Sequence, residues 1–239
     1  MKQLIIVIMI LISNISWAQT ARERLYNRFV ADDISSWRGI IDSLQQYRTQ
    51  NNNLLTVIDA QYGYIAWSLA ENKRSEAEKQ IPQMESNLKE LLSKYDYSAE
   101  YHAYNGALLS FKLGLAKWKA PILGPKILEE TDKALRLSPY NPLALNLKAN
   151  GLYYRPSILG GDKIEALRIY LQCEKIMEEI NTKDWKYITL LITIAQLYES
   201  SGNTRAAIEY CNKILKSEPN FKWVKETYLP QLLSEKTDQ

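Results

Sequence analysis

One histidine, His102, and two cysteines, Cys173 and Cys211, are all that this 239-residue chain offers of the commonest metal ligands and nucleophiles. A single imidazole excludes a histidine-rich metal site and any H-E-x-x-H zinc motif. The two thiols lie too far apart for a C-x-x-C redox pair and lack the spacing of a zinc site. No serine, cysteine or carboxylate stands in a recognisable relation to His102, so no nucleophile–base constellation can be assembled. The acidic doublets Glu129-Glu130 and Glu178-Glu179 occupy adjacent helical positions and do not converge on one face. The formal charge is only +3, and acids and bases are interspersed along the chain. That balance gives no argument for nucleic acid. Convincing strand patterns are missing throughout.

Long apolar runs are also scarce. Leu4–Ile12 is the main one, and it is too short to span a bilayer, which needs about 20 residues. Lys2 precedes it and Ser16-Trp17-Ala18 follows, which reads as an export signal cleaved before Gln19. No cysteine follows the cut to carry a lipid. The expected location is therefore periplasmic or secreted, with residues 1–18 as the signal peptide and no membrane span after cleavage. Cys173 and Cys211 fall on apolar helix faces, where buried free cysteine is common. An exported chain could also pair them, and the sequence leaves both states open.

What the chain does have is helical periodicity and recurrence. In "IAQLYESSGNTRAAIEYCNKILKSEPN", Ala195 and Tyr198 precede a turn at Gly202. Ala207, Cys211 and Ile214 follow, and Pro219 closes the unit. Ala195, Ala207 and Pro219 are evenly spaced. Small side chains at Ala195 and Ala207 would let two helices approach closely, and Pro219 would end the second helix. Walking back from Ala195 in steps of 44, 45 and 43 residues reaches Gly151, Gly106 and Gly63. A glycine inside a helix costs about 1 kcal/mol relative to alanine, so close helix–helix approach is the expected reason for each. The loops "KAPILGPKIL" and "YRPSILGGDKIEAL" echo one another. In the second, Pro156 should end a helix, Gly160 and Gly161 permit positive φ, and Asp162 should cap the next helix, with Glu165 completing a capping box. In the first, Pro125 is expected at the first position of its helix. Ile122, Leu123, Ile158 and Leu159 are expected to tuck these loops onto the fold.

The helix of Asp33–Arg48 presents Ile34, Trp37, Ile40, Ile41 and Leu44 on one face. It forms an opening hairpin with "ARERLYNRFV". Asn51-Asn52-Asn53 links it to the first glycine-centred unit, whose second helix should begin near Ser75 with a kink at Pro82. Phe221–Leu233 reads as a C-terminal capping helix with Lys222, Lys225 and Glu226 toward water.

These spacings resemble the tetratricopeptide repeat (TPR), a helix–turn–helix unit of about 34 residues. The resemblance implies an all-α fold: a right-handed α-solenoid of TPR-like hairpins, here with elongated repeats. Residues 19–239 form a single domain in this reading. Its approximate units are 19–52, 53–97, 98–140, 141–182 and 183–219, with 220–239 as the cap. "YGYIAW", the P-x-x-L-G-G-D loop after "NGLYY", and "SPYNPLAL" are similar to segments of exported TPR proteins of Gram-negative bacteria, notably Bacteroidetes. The P-x-x-L-G-G-D loop also resembles one in the T-component of TRAP transport systems. Neither resemblance supplies a catalytic residue.

The expected function is therefore non-catalytic: a scaffold that binds a protein or peptide partner of the cell envelope on the concave surface of its first helices. Using the glycines as register marks, Tyr64, Trp67, Lys148, Leu152, Arg155, Gln196 and Glu199 face inward, with Tyr101 and Tyr104 flanking the third such helix. Aromatic groups and arginine are favoured where proteins bind one another. Lys148 and Arg155 are the pair expected to meet an acidic group. No cofactor, metal or nucleic acid is implied. The alternative is a periplasmic small-ligand-binding accessory protein of a transport system.

Overall fold

A computed structural model describes residues 21–48, 53–180 and 183–237. The expected signal peptide, residues 1–18, and the expected Asn51-Asn52 link lie outside the described residues. Eleven α-helices follow one another: α1 (21–30), α2 (Trp37–Gln46), α3 (Asn53–Ala70), α4 (Arg74–Lys94), α5 (Ala99–Leu115), α6 (Ala120–Leu137), α7 (Pro142–Tyr154), α8 (Lys163–Ile180), α9 (Trp185–Ser200), α10 (Thr204–Ser217) and α11 (Leu229–Thr237). Among the described residues there is no strand, and the fold is all-α.

Consecutive helices pack antiparallel, and side-chain bonds show it. Lys112 and Arg74 tie the end of α5 to α4, through Glu85 and the Leu115 carbonyl. Tyr170 of α8 bonds Asn150 of α7, and Tyr187 of α9 bonds Glu178 of α8. Two inner pairs also meet across successive hairpins, α3 with α5 and α5 with α7. The two helices of a hairpin differ in how they are buried. In α9 the buried residues include Trp185, Tyr187, Ile188, Leu190, Leu191 and Ile194, which surround the helix. In α10 only Ala207, Cys211 and Ile214 are buried, a single stripe. Apolar groups all round place a helix between neighbours on both sides, and a stripe places it outside. The odd-numbered helices α3, α5 and α9 are thus inner and the even-numbered ones outer.

The stack is not open. Phe29 of α1 lies 5.2 Å from Phe221, just before the last helical segment, and Tyr26 donates a 2.5 Å bond to Glu218. Trp37 of α2 meets Trp185 of α9 edge-on at 5.3 Å. The first hairpin therefore closes against the last units, and one core cluster runs through both ends of the chain. Trp37 Nε1–H, buried in that closure, has no hydrogen-bond partner. This departs from the expected open curve with a free concave face.

Local expectations divide in an instructive way. α7 stops at Tyr154, just before Pro156, Gly160 has φ +86°, and Asp162 accepts from the Ile164 and Glu165 amides at 3.0 and 2.9 Å. Glu165 does not complete a capping box: the Asp162 N–H donates instead to the Leu152 carbonyl at 2.9 Å, and the Glu165 carboxylate accepts from Arg168. α6 starts earlier than expected. A 3₁₀ turn at Lys117–Lys119 runs straight into it, so Pro121 holds the first-turn place and Pro125 lies inside the helix. Pro82 is likewise inside α4. The last segment carries a π turn, Val224–Tyr228, immediately before Pro230. Pro230 has no N–H and crowds the turn before it, and widening that turn relieves the conflict.

The register glycines have three different settings. A methyl on Gly106 would meet Leu147, Thr131 and Glu130, so α5 crosses its neighbours there as expected. At Gly63 the obstacles are the indoles of Trp37 and Trp185, at 2.5 and 2.9 Å. At Gly151 only the Arg155 guanidinium comes near, at 3.8 Å. Close approach of two helices is thus the reason for Gly106 alone. Ala195 and Ala207 are both fully buried, as their role at a helix pair requires.

Candidate functional site

The inner helices bring together a buried polar cluster that sequence reasoning missed. Asp59 of α3, 6% exposed, accepts from Tyr104 Oη of α5 and from Lys186 Nζ of α9, each at 2.6 Å. Burial acts to lower Lys186, but the Asp59 and Asp184 carboxylates overcome it and hold the ammonium above the usual lysine range. Burial, with Asp59 beside it, pushes Tyr104 well up. Glu100 stands at the mouth of this cluster. Desolvation raises its carboxyl, Lys186 opposes, and Asp59 adds to the rise. Tyr62 packs against all three core clusters. Its ring lies 5.8 Å from Tyr104, 5.6 Å from Phe111 and 5.9 Å from Trp185. Burial pushes the Tyr62 hydroxyl up to about 12. One signal for this cluster was available: Asp59 is the lone acid of the apolar helix α3.

The expected partner-binding residues end in different places. Tyr104 is buried in the cluster just described. Tyr64 is 3% exposed, with its hydroxyl bonded to Glu76 at 3.1 Å. Trp67 is half-buried beneath the Lys73 ammonium, 4.0 Å from the ring centroid. Tyr101 is half-buried against Tyr95. Lys148 and Gln196 are exposed, and Leu152, Arg155 and Glu199 are half-buried. Tyr228 bonds Glu199 at 2.8 Å. These last five form a group of their own. Lys148, Leu152 and Arg155 line one face of α7, Gln196 and Glu199 lie on α9, and Tyr153 and Ser200 join the two helix ends at 3.4 Å. Among the described residues, neither Lys148 nor Arg155 has a carboxylate within ion-pair distance, although Lys148 lies close enough to help lower Glu165. Of the aromatic residues expected at the surface, Tyr64 and Tyr104 are core, and Trp67 and Tyr101 are half-buried.

His102 is buried, with Nδ1 2.6 Å from Glu130 and Nε2 2.7 Å from the Asp96 carbonyl. Both ring nitrogens are occupied, so the imidazole joins the start of α5 to α6 and has no free valence for a metal or a substrate. Cys173 and Cys211 are buried and unpaired. Burial pushes their thiols up to about 12 and about 11. Among the described residues no group of ligating side chains could hold a metal, and no helix is long and apolar enough to cross a membrane.

No family model matches the chain, and no curated protein matches it. Among solved structures it is similar to the HusA haemophore from Porphyromonas gingivalis, with a TM-score of 0.51 and 16% identity, covering 75% of this chain and 94% of that one. At that identity the likeness is one of fold.

Proposed function

We propose that the chain is an exported, non-catalytic TPR-like binding protein, and that the strip of Lys148, Leu152, Arg155, Gln196 and Glu199 takes a protein or peptide partner of the cell envelope. The observation that carries this reading is the cation pair Lys148 and Arg155, with no ion-pair partner among the described residues, set beside Leu152 and the polar Gln196 and Glu199 of α9. Cations left uncompensated at a surface steer and orient an acidic partner. The burial of Tyr64 and Tyr104 moves the expected site from the inner face to this strip. The test is crosslinking and pull-down from the native envelope with K148E/R155E. Capture should be lost while the melting curve stays nearly unmoved; undiminished capture would refute the strip.

A second reading is a small-ligand binder, for which the haemophore neighbour and the exposed Tyr154, its ring 4.9 Å from that of half-buried Tyr153, speak. His102 could not serve as an axial ligand there, because both its nitrogens are engaged. Titration with haemin separates the two: a saturating change in the haem spectrum, lost in Y154A, favours the ligand.

A further inference from the structure

Four residues expected to tuck the two echoing loops onto the fold do not behave alike. Leu123 is buried, at 9% exposed. Ile122 is 61% exposed, Leu159 66% and Ile158 92%. Around them stand Trp118 at 76%, Tyr154 at 75% and Ile164 at 85%. The loops belong to the α5–α6 and α7–α8 hairpins. Because α6 lies antiparallel between α5 and α7, and α5 touches α7, both loops project from the same edge. Their neighbours along that edge are polar: Glu71-Asn72-Lys73 on one side and Ser201-Gly202-Asn203 on the other. The apolar tips are confined to the two central hairpins.

These tips are held out, not left loose. Leu159 and Gly160 amides donate to Pro156 and Ser157 carbonyls at 2.8 and 3.0 Å, and Asp162 N–H ties the loop back to Leu152 at 2.9 Å. Lys119 N–H closes the other turn on Ala116 at 2.9 Å. Apart from Asp162 and Glu165 at the start of α8, the charge around them is positive. No acid occurs between Glu100 and Glu129, a stretch with Lys112, Lys117, Lys119 and Lys126. None occurs between Asp132 and Asp162, a stretch with Lys133, Arg136, Lys148 and Arg155. Lys117, Lys119, Lys126 and Lys163 are exposed, and none has an ion-pair partner among the described residues. The interspersed charge of the whole sequence conceals this local excess.

From this geometry we infer that the edge formed by Trp118, Ile122, Ile158, Leu159 and Ile164 docks on an anionic lipid bilayer surface. Exposed tips of tryptophan and isoleucine enter the headgroup–acyl boundary, and lysines around them with no ion-pair partner among the described residues meet lipid phosphates. Lysine is depleted from protein–protein interfaces. This surface is separate from the α7–α9 strip and goes beyond the function proposed for it.

The test is co-sedimentation of the exported chain with vesicles of phosphatidylcholine alone and of phosphatidylcholine with an equal part of phosphatidylglycerol. Binding is expected only to the anionic vesicles and should fall as salt rises. I158S/I164S and K117E/K119E/K163E should each reduce it by about tenfold or more. Trp118 emission should shift to the blue on binding and be quenched by acyl-chain bromines; W118F should remove that signal. Circular dichroism of the variants should be unaltered, since all these side chains are exposed. No vesicle binding, or equal binding by I158S/I164S, would overturn the inference. So would a photocrosslinker at position 118 or 158 that captures a protein while lipid is ignored. W118S/I122S leaves the α7–α9 strip intact, and partner capture by that variant separates failure of this inference from failure of the strip.

Discussion

The seam that closes the first hairpin on the last units and the edge formed by the two central loops are built from the same kinds of residue. Both have tryptophan, isoleucine and lysine. At the seam Trp37 is 1% exposed, Trp185 8%, and Lys186 is bonded to Asp59. At the edge Trp118 is 76% exposed, Ile158 92%, and the lysines have no ion-pair partner among the described residues. The contrast shows that residue type alone did not decide what is core. Position decided it: the seam residues sit where α2 closes on the inner helices α3 and α9, whereas the edge residues sit where hairpins turn and nothing follows.

The largest effect should come from unpairing the seam. K186M leaves the buried Asp59 carboxylate with only the Tyr104 hydroxyl, and breaking a buried ion pair from one side costs about 3–5 kcal/mol. Denaturant unfolding should show that loss. D59N/K186M removes the stranded charge, keeps an acceptor for Tyr104, and should recover most of it. A K186M loss under about 1 kcal/mol would mean the pair is solvated and the seam is not core.

A finer comparison lies in the three glycines, which the sequence presents as equivalent. G63A drives a methyl into two indoles locked edge to face, and overpacking of this kind costs about 1–3 kcal/mol. At Gly106 the nearest obstacle is the flexible end of Leu147, at 3.3 Å, so the gain in helix propensity roughly offsets the crowding. At Gly151 the space is open, and G151A should stabilise by about 0.5–1 kcal/mol. Three midpoints from thermal or denaturant unfolding test the order. A destabilised G151A would show a packing role that the structure does not contain.

The same glycines show what was legible in the sequence. Their interval predicted the inner helices correctly as recurring elements, because apolar periodicity and small residues are local signals. What Gly63 faces was not legible, because Trp37 and Trp185 reach it from distant parts of the chain. Tyr64 and Tyr104 were misplaced for the same reason: closure of the stack turned an expected surface into interior. The helix caps were read well at Asp162, where the cause lies within three residues. Pro125 was misread because a 3₁₀ turn and a helical proline four residues upstream, Pro121, satisfy the same rule. The edge loops were misread through a general expectation that large apolar residues seek cover.

That expectation sets up the smallest effect. If the edge is surface, I158S and I164S remove side chains that bury almost nothing on folding, and together they should change stability by less than about 0.5 kcal/mol. Serine at a core position would instead leave a cavity and an exposed-to-buried hydroxyl, at a cost of several kcal/mol in aggregate. The two outcomes are well separated in a single unfolding experiment. A small change with full loss of vesicle binding would assign these isoleucines to the surface and to a lipid contact together. A large loss of stability would show that they pack against the protein, and the contrast between seam and edge would disappear.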